Sequence, residues 1–64
     1  MDKIDREIIS LLREDGRISV TDLATRVRLS VSTCHRRLKE LESSGVILGY
    51  RAEVDPTKLG LSFE

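Results

Sequence analysis

Asparagine, glutamine and tryptophan are absent from this 64-residue chain, and cysteine, histidine, proline, tyrosine and phenylalanine occur once each. Each scarcity removes a class of function. A lone Cys34 cannot form an internal disulfide and fits a reducing cytoplasm. Cys34 and His35 are neighbours, so on a helix they diverge by about 100° and cannot cooperate as nucleophile and base. No second His or Cys exists to complete a metal ligand set, and no cofactor is expected. The four glycines are scattered, which excludes a glycine-rich phosphate loop. No apolar run approaches the roughly 18 residues of a membrane span, and the charged start from Met1 to Glu7 is unlike a signal peptide. A chain this short buries only about 60% of its unfolded surface, too little to support an enzyme's cleft. A small cytoplasmic helical module, cut from something larger and not an enzyme, is the expectation.

Charge is plentiful and unevenly placed. The formal net charge is zero. Residues 17–39, however, carry Arg17, Arg26, Arg28, Arg36, Arg37 and Lys39 against Asp22 alone, a local excess of +5. The preceding segment is net −2 and the following one net −3. A basic middle with acidic flanks is suited to a polyanion, although charge clustering on a solvated face is equally common. Periodicity separates the two readings.

Asp2 is placed to cap a first helix, with Asp5 three residues on. Ile4, Ile8, Leu11 and Leu12, widened by Ile9, form its apolar stripe, and Asp15-Gly16 ends it with a left-handed glycine. Ser19 with Asp22 opens a short second helix whose buried face is Leu23, Ala24 and Val27. Arg28-Leu29 connects tightly to Ser30, the cap of a third helix ended by Ser43-Ser44-Gly45. In that helix Val31, Cys34, Leu38 and Leu41 make one narrow apolar stripe. Ser32, Arg36 and Glu40 then point away from it, flanked by Thr33 and Lys39, with His35 and Arg37 on the borders. Beyond Gly45 the period changes to two, which predicts a strand from about Ile47 to Val54, broken by Asp55-Pro56. Leu59, Leu61 and Phe63 alternate again.

A short helix, a three-residue connection and a longer helix make a helix-turn-helix, whose second member enters the DNA major groove by its N-terminal residues. Small Ser32 and Thr33 permit close approach, and Arg36 is long enough to reach base edges. Glu40, one turn later, is repelled by phosphates and limits contact to the first two turns. The competing reading is a small helical protein-interaction module that pairs with a partner through its strand.

The motifs decide between them. The segments Asp2-Lys3-Ile4-Asp5-Arg6-Glu7-Ile8-Ile9, Asp15-Gly16-Arg17-Ile18-Ser19, Leu23-Ala24 with Val27, and Leu29-Ser30 occur in that order. They are followed by Arg37-Leu38 with Leu41-Glu42, by Gly45-Val46-Ile47-Leu48-Gly49-Tyr50 with Ala52, and by Asp55-Pro56 with Leu59-Gly60. Together they resemble the N-terminal domain of the Lrp/AsnC family of transcription regulators over essentially the whole chain. The resemblance implies a mainly α fold, a three-helix helix-turn-helix of winged-helix type at 1–46 followed by a short β-strand. Residues 47–64 then lead as strand and linker toward an amino-acid-sensing α/β domain absent here, with 61–64 as its first strand. An amino-acid effector is accordingly expected only through that missing domain. The resemblance also implies a homodimer, weak in this fragment, in which two copies of the strand from Ile47 to Val54 pair. The family usually has Pro or Ser where Val31 and Thr33 stand, so operator choice is not legible.

The expected partner is double-stranded DNA, with the recognition helix running from about Val31 to Ser44. Base readout falls to Ser32, Thr33, His35 and Arg36, and phosphate contact to Arg26, Arg28, Ser30, Arg37 and Lys39. For Arg37 an internal pair with a carboxylate is an equal alternative. With neither Asn nor Gln present, the bidentate partners of adenine are missing, so Arg36 to guanine is the principal direct contact.

Overall fold

The protein is described by a computed structural model over residues 1–60. Three helices, α1 (Lys3–Glu14), α2 (Val20–Val27) and α3 (Val31–Ser43), precede a single 3-10 turn at Pro56–Leu59. Each α-helix begins where a side chain accepts an otherwise unpaired backbone N–H. Asp2 accepts from Asp5 at 2.8 Å, Ser19 from Asp22 at 3.0 Å, and Ser30 from Thr33 at 3.2 Å. Caps of this kind each contribute about 1 kcal/mol, which matters in a domain with so small a core.

The helix ends differ from one another. α1 does not end on a left-handed glycine, contrary to expectation, since Gly16 is not among the positive-φ residues. Instead Asp15 turns extended, its N–H bonding the Leu11 carbonyl at 2.9 Å and its Oδ1 accepting from Arg17 at 3.0 Å. The aspartate side chain closes the turn locally, so the glycine is not needed for it. α3 does end on such a glycine: Gly45 has φ +85°, with its N–H on the Glu42 carbonyl at 3.2 Å. The Ile47 N–H then covers the Leu41 carbonyl at 3.0 Å.

Every helix packs on the other two. Ile8 from α1, Leu23, Ala24 and Val27 from α2, and Cys34, Leu38 and Leu41 from α3 are buried together. Ile4, Ile9, Leu11, Leu12, Ile18, Val20, Leu29 and Ile47 pack partly buried around them. Fully burying an aliphatic side chain of this size contributes about 1.5–3 kcal/mol, so few residues hold the fold. Val31 departs from the expected stripe and is 48% exposed. It is the first residue of α3, and the buried core is reached only one turn later, at Cys34.

The strand expected from Ile47 to Val54 does not form. Residues 48–55 carry no regular structure, because within the described chain no neighbouring segment supplies a hydrogen-bonded ladder. The alternating residues therefore bury little: Leu48 is 96% exposed, and Tyr50 and Val54 are exposed as well. Two anchors tie the segment down, Ile47 against the core and the Tyr50 hydroxyl donating to Glu42 at 2.8 Å. Leu59 lies in the 3-10 turn, capped by Asp55, rather than on an alternating strand. Leu61, Phe63 and the strand expected at 61–64 lie outside the described residues. Among the described residues no helix is long and apolar enough to cross a membrane.

Gly45→Ala forces a Cβ into left-handed backbone and is expected to destabilise the domain by about 1–2 kcal/mol. Urea denaturation of both proteins checks this: the midpoint should fall with an unchanged slope.

Candidate nucleic-acid interface

The α2–α3 turn sets how the third helix is presented. Arg28 adopts left-handed backbone with φ 62° and ψ 43°, making it the one non-glycine residue with positive φ among those described. Its N–H reaches the Thr25 carbonyl at 3.3 Å, and the Leu29 N–H reaches Ala24 at 2.9 Å. Leu29 is thereby turned against the core and Ser30 is placed at the start of α3. An L-residue in this conformation costs roughly 1 kcal/mol that glycine avoids. No glycine or asparagine in the sequence marks this left-handed turn.

Cys34, Leu38 and Leu41 face inward, and burial pushes the Cys34 thiol above its usual range. The opposite side of α3 presents Ser32, His35, Arg36 and Lys39, all exposed. Thr33 is half-buried and partly committed to the cap. Its N–H donates to Ser30 Oγ at 3.2 Å, and Ser30 Oγ donates to Thr33 Oγ1 at 2.9 Å. Ser32 Oγ lies 3.4 Å from the same Ser30 oxygen, so three hydroxyls gather at the helix N-terminus. Backbone N–H groups and the positive end of the helix dipole also concentrate there, which favours an anion.

Two ion pairs organise the long side chains, one exposed and one on the half-buried Glu42. Arg36 Nη1 donates to Glu40 Oε2 at 3.2 Å, and Lys39 Nζ lies 3.5 Å from Glu42 Oε1. The pairs sit at i,i+4 and i,i+3 spacing, so Glu40 compensates Arg36 within the free helix besides opposing phosphate. An exposed pair such as Arg36–Glu40 is worth little, so Arg36 is readily transferred to a competing anion. The Tyr50 hydroxyl, Lys39 and His35 together hold the Glu42 carboxyl below its usual range, the hydrogen bond from Tyr50 contributing most. Partial burial and the same carboxylate push the Tyr50 hydroxyl up to about 12.

Arg37 stands apart from this surface. Of its two sequence-derived roles, the structure forms the internal pair: Nη1 donates to Asp2 Oδ2 at 2.8 Å and to Asp5 Oδ1 at 3.1 Å. Its side chain is only 23% exposed and its Nε is buried without a hydrogen-bond partner. The guanidinium hydrogen bond holds the Asp2 carboxyl below the ordinary carboxylate range, helped by the Asp5 N–H. Arg26 and Arg28 are exposed, on the last turn of α2 and on the connecting turn.

With this geometry in place, the relatives of the chain are informative. The winged helix-turn-helix DNA-binding family matches residues 1–47. The proline dehydrogenase transcriptional activator of Rhizobium radiobacter is 49% identical over 61 residues, covering 95% of this chain and 39% of that protein. The leucine-responsive regulatory protein of Rhizobium meliloti is 47% identical over 60 residues, or 94% of this chain and 38% of its own length. A transcriptional regulator of Neisseria meningitidis, solved as a complex with L-Met, superposes with a TM-score of 0.88 at 43% identity. That match covers 95% of this chain and 40% of the regulator. The chain thus spans about two fifths of the length of the proteins it resembles. The family match over most of the chain, together with relatives 43–49% identical across nearly all of it, shows that this chain belongs to the winged helix-turn-helix DNA-binding family, in the group of Lrp/AsnC transcription regulators.

Proposed function

We propose that this chain is the operator-reading part of a cytoplasmic transcription regulator and that the first two turns of α3 enter the major groove of double-stranded DNA. One observation carries the reading: Ser32, His35 and Arg36 are exposed on α3 while Cys34, Leu38 and Leu41 lock its other side into the core. Arg36 exchanges Glu40 for guanine O6 and N7, His35 and Ser32 give single hydrogen bonds, and the Thr33 and Val31 methyls meet thymine. Ser30 meets a phosphate at the helix N-terminus, and Arg26, Arg28 and Lys39 contact the flanking backbone. Adenine-rich positions act through groove width and bendability, because the chain has no Asn or Gln to read them.

The left-handed strain at Arg28 supports its assignment. A charged residue held where glycine would be easier is accounted for if its guanidinium has work to do at the DNA backbone. The exposed apolar residues Leu48, Tyr50 and Val54 support a second part of the proposal. Two copies pair their 47–54 segments antiparallel, complete the missing ladder, and present two recognition helices to two half-sites. In the whole protein a second domain follows and takes an amino-acid effector, a reading supported by the greater length of the relatives and by the L-Met complex.

Three outcomes follow. Arg36→Ala should cost about 1–3 kcal/mol on a preferred duplex and relax choice at one G·C pair per half-site, whereas Lys39→Ala should weaken preferred and random duplexes alike. Binding of both variants to selected and scrambled duplexes at fixed salt checks this. An equal loss on both duplexes for Arg36→Ala would make it a phosphate contact. Arg28→Gly should stabilise the domain by about 0.5–1 kcal/mol in urea while lowering DNA affinity, with a shallower salt dependence. For the dimer, sedimentation at high protein concentration should show weak self-association that Leu48→Lys abolishes.

A further inference from the structure

Resting on the DNA-reading role of α3, we propose that Arg37 is a positioning residue: its bridge to Asp2 and Asp5 sets the roll of α3 about its own axis and so aims Ser32 and Arg36 at base edges. The two carboxylates are separated from Arg37 by 35 and 32 positions, so this contact joins the start of the chain to the middle of the recognition helix. A single nitrogen, Nη1, serves both, at 2.8 and 3.1 Å. Asp2 is also committed twice, because its Oδ1 caps α1 through the Asp5 N–H at 2.8 Å while its Oδ2 takes Arg37. The N-terminus of α1 and the body of α3 therefore cannot move independently without breaking a charged hydrogen bond.

The apolar contacts leave a need for such a device. α1 and α3 share the least extensive contact of the three helix pairs. The buried stripe of α3 is narrow, three side chains along one line, and a narrow stripe resists sliding better than rolling. Side-chain tips ride roughly 5–6 Å from a helix axis, so a roll of about 20° displaces the Arg36 tip by about 2 Å. A bidentate contact with guanine does not survive that displacement. Arg37 is next to Arg36 in sequence, about 100° around the helix, which puts the clamp on the border between the core and the DNA-facing surface. The Arg37 guanidinium holds the Asp2 carboxyl below its ordinary range, which favours the charged form of the Asp2 arm of the bridge.

The sign of one effect separates positioning from phosphate contact. Asp2→Ser with Asp5→Ala keeps a capping hydroxyl, removes both acceptors of Arg37 and deletes two negative charges. Electrostatics alone predicts tighter binding to every duplex. Positioning predicts about tenfold weaker binding to a duplex selected from a randomised library by the unaltered domain, with scrambled-duplex affinity unchanged or raised. Arg37→Met should lower the same preference by a similar factor without changing the slope of log affinity against log salt. If the double variant gains affinity equally on both duplexes, the bridge does not aim α3 and the proposal fails; if Arg37→Met reduces that slope by about 0.9, Arg37 is a phosphate contact and the proposal fails as well. Should the double variant not fold, as read by its urea transition, Arg37→Met, which removes both contacts and leaves the Asp2 cap intact, decides by its duplex preference and salt slope. If the unaltered domain selects no duplex at all, sequence readout itself is overturned, and positioning with it.

Discussion

The presentation of the recognition surface depends on a line of three side chains. Cys34, Leu38 and Leu41 are the part of α3 buried in the shared core, and they meet Ile8, Leu23, Ala24 and Val27 there. Among the described residues no second layer braces the helix from behind. Whatever α3 offers to solvent is therefore whatever this one line leaves uncovered. The residue types at each position follow from that constraint: small or aliphatic inward, hydroxyl and cationic outward.

Because the apolar contact is thin, polar features carry an unusual share of the geometry. Three helices each start on a side-chain cap, and the Asp2 cap is joined to Arg37 by an ion pair across the fold. Partly buried charged pairs seldom add much net stability, but they discriminate among packings of similar apolar energy. A recognition helix needs that discrimination more than it needs stability. The left-handed Arg28 fits the same balance, since it accepts backbone strain at the turn that presents α3.

Charge across the surface is arranged for exchange. Arg36 is neutralised by Glu40 in the free protein through a pair exposed enough to be given up, and Lys39 lies against the half-buried Glu42. Arg36 stands near the middle of α3, while Lys39, Glu40 and Glu42 lie in its C-terminal half, where the two carboxylates oppose a polyanion. Net neutrality of the chain is then compatible with a locally basic contact surface.

Local chemistry made the three helices readable from the residues alone. Asp2, Ser19 and Ser30 announce their starts, Gly45 announces the last end, and the stripe Cys34, Leu38, Leu41 announces the buried side, because caps and helical period act within a few residues. By the same reasoning Ser32 and Arg36 were legible as outward, whereas Thr33, expected on the outward flank, is half-buried at the cap and His35, expected on a border, is exposed. Tertiary structure decided what depends on distant partners or on their absence. Alternation at Leu48, Tyr50 and Val54 encodes the capacity to form a strand, yet no strand forms, since a ladder requires a second segment that the described chain does not supply. Val31 obeys the apolar period and is still exposed, because burial is set by what covers a position and not by its phase. Arg28 adopts glycine's conformation with no glycine to signal it. Arg37 had two roles of equal standing in the sequence, and the choice fell to Asp2 and Asp5, residues that only folding brings within 2.8 and 3.1 Å of its guanidinium.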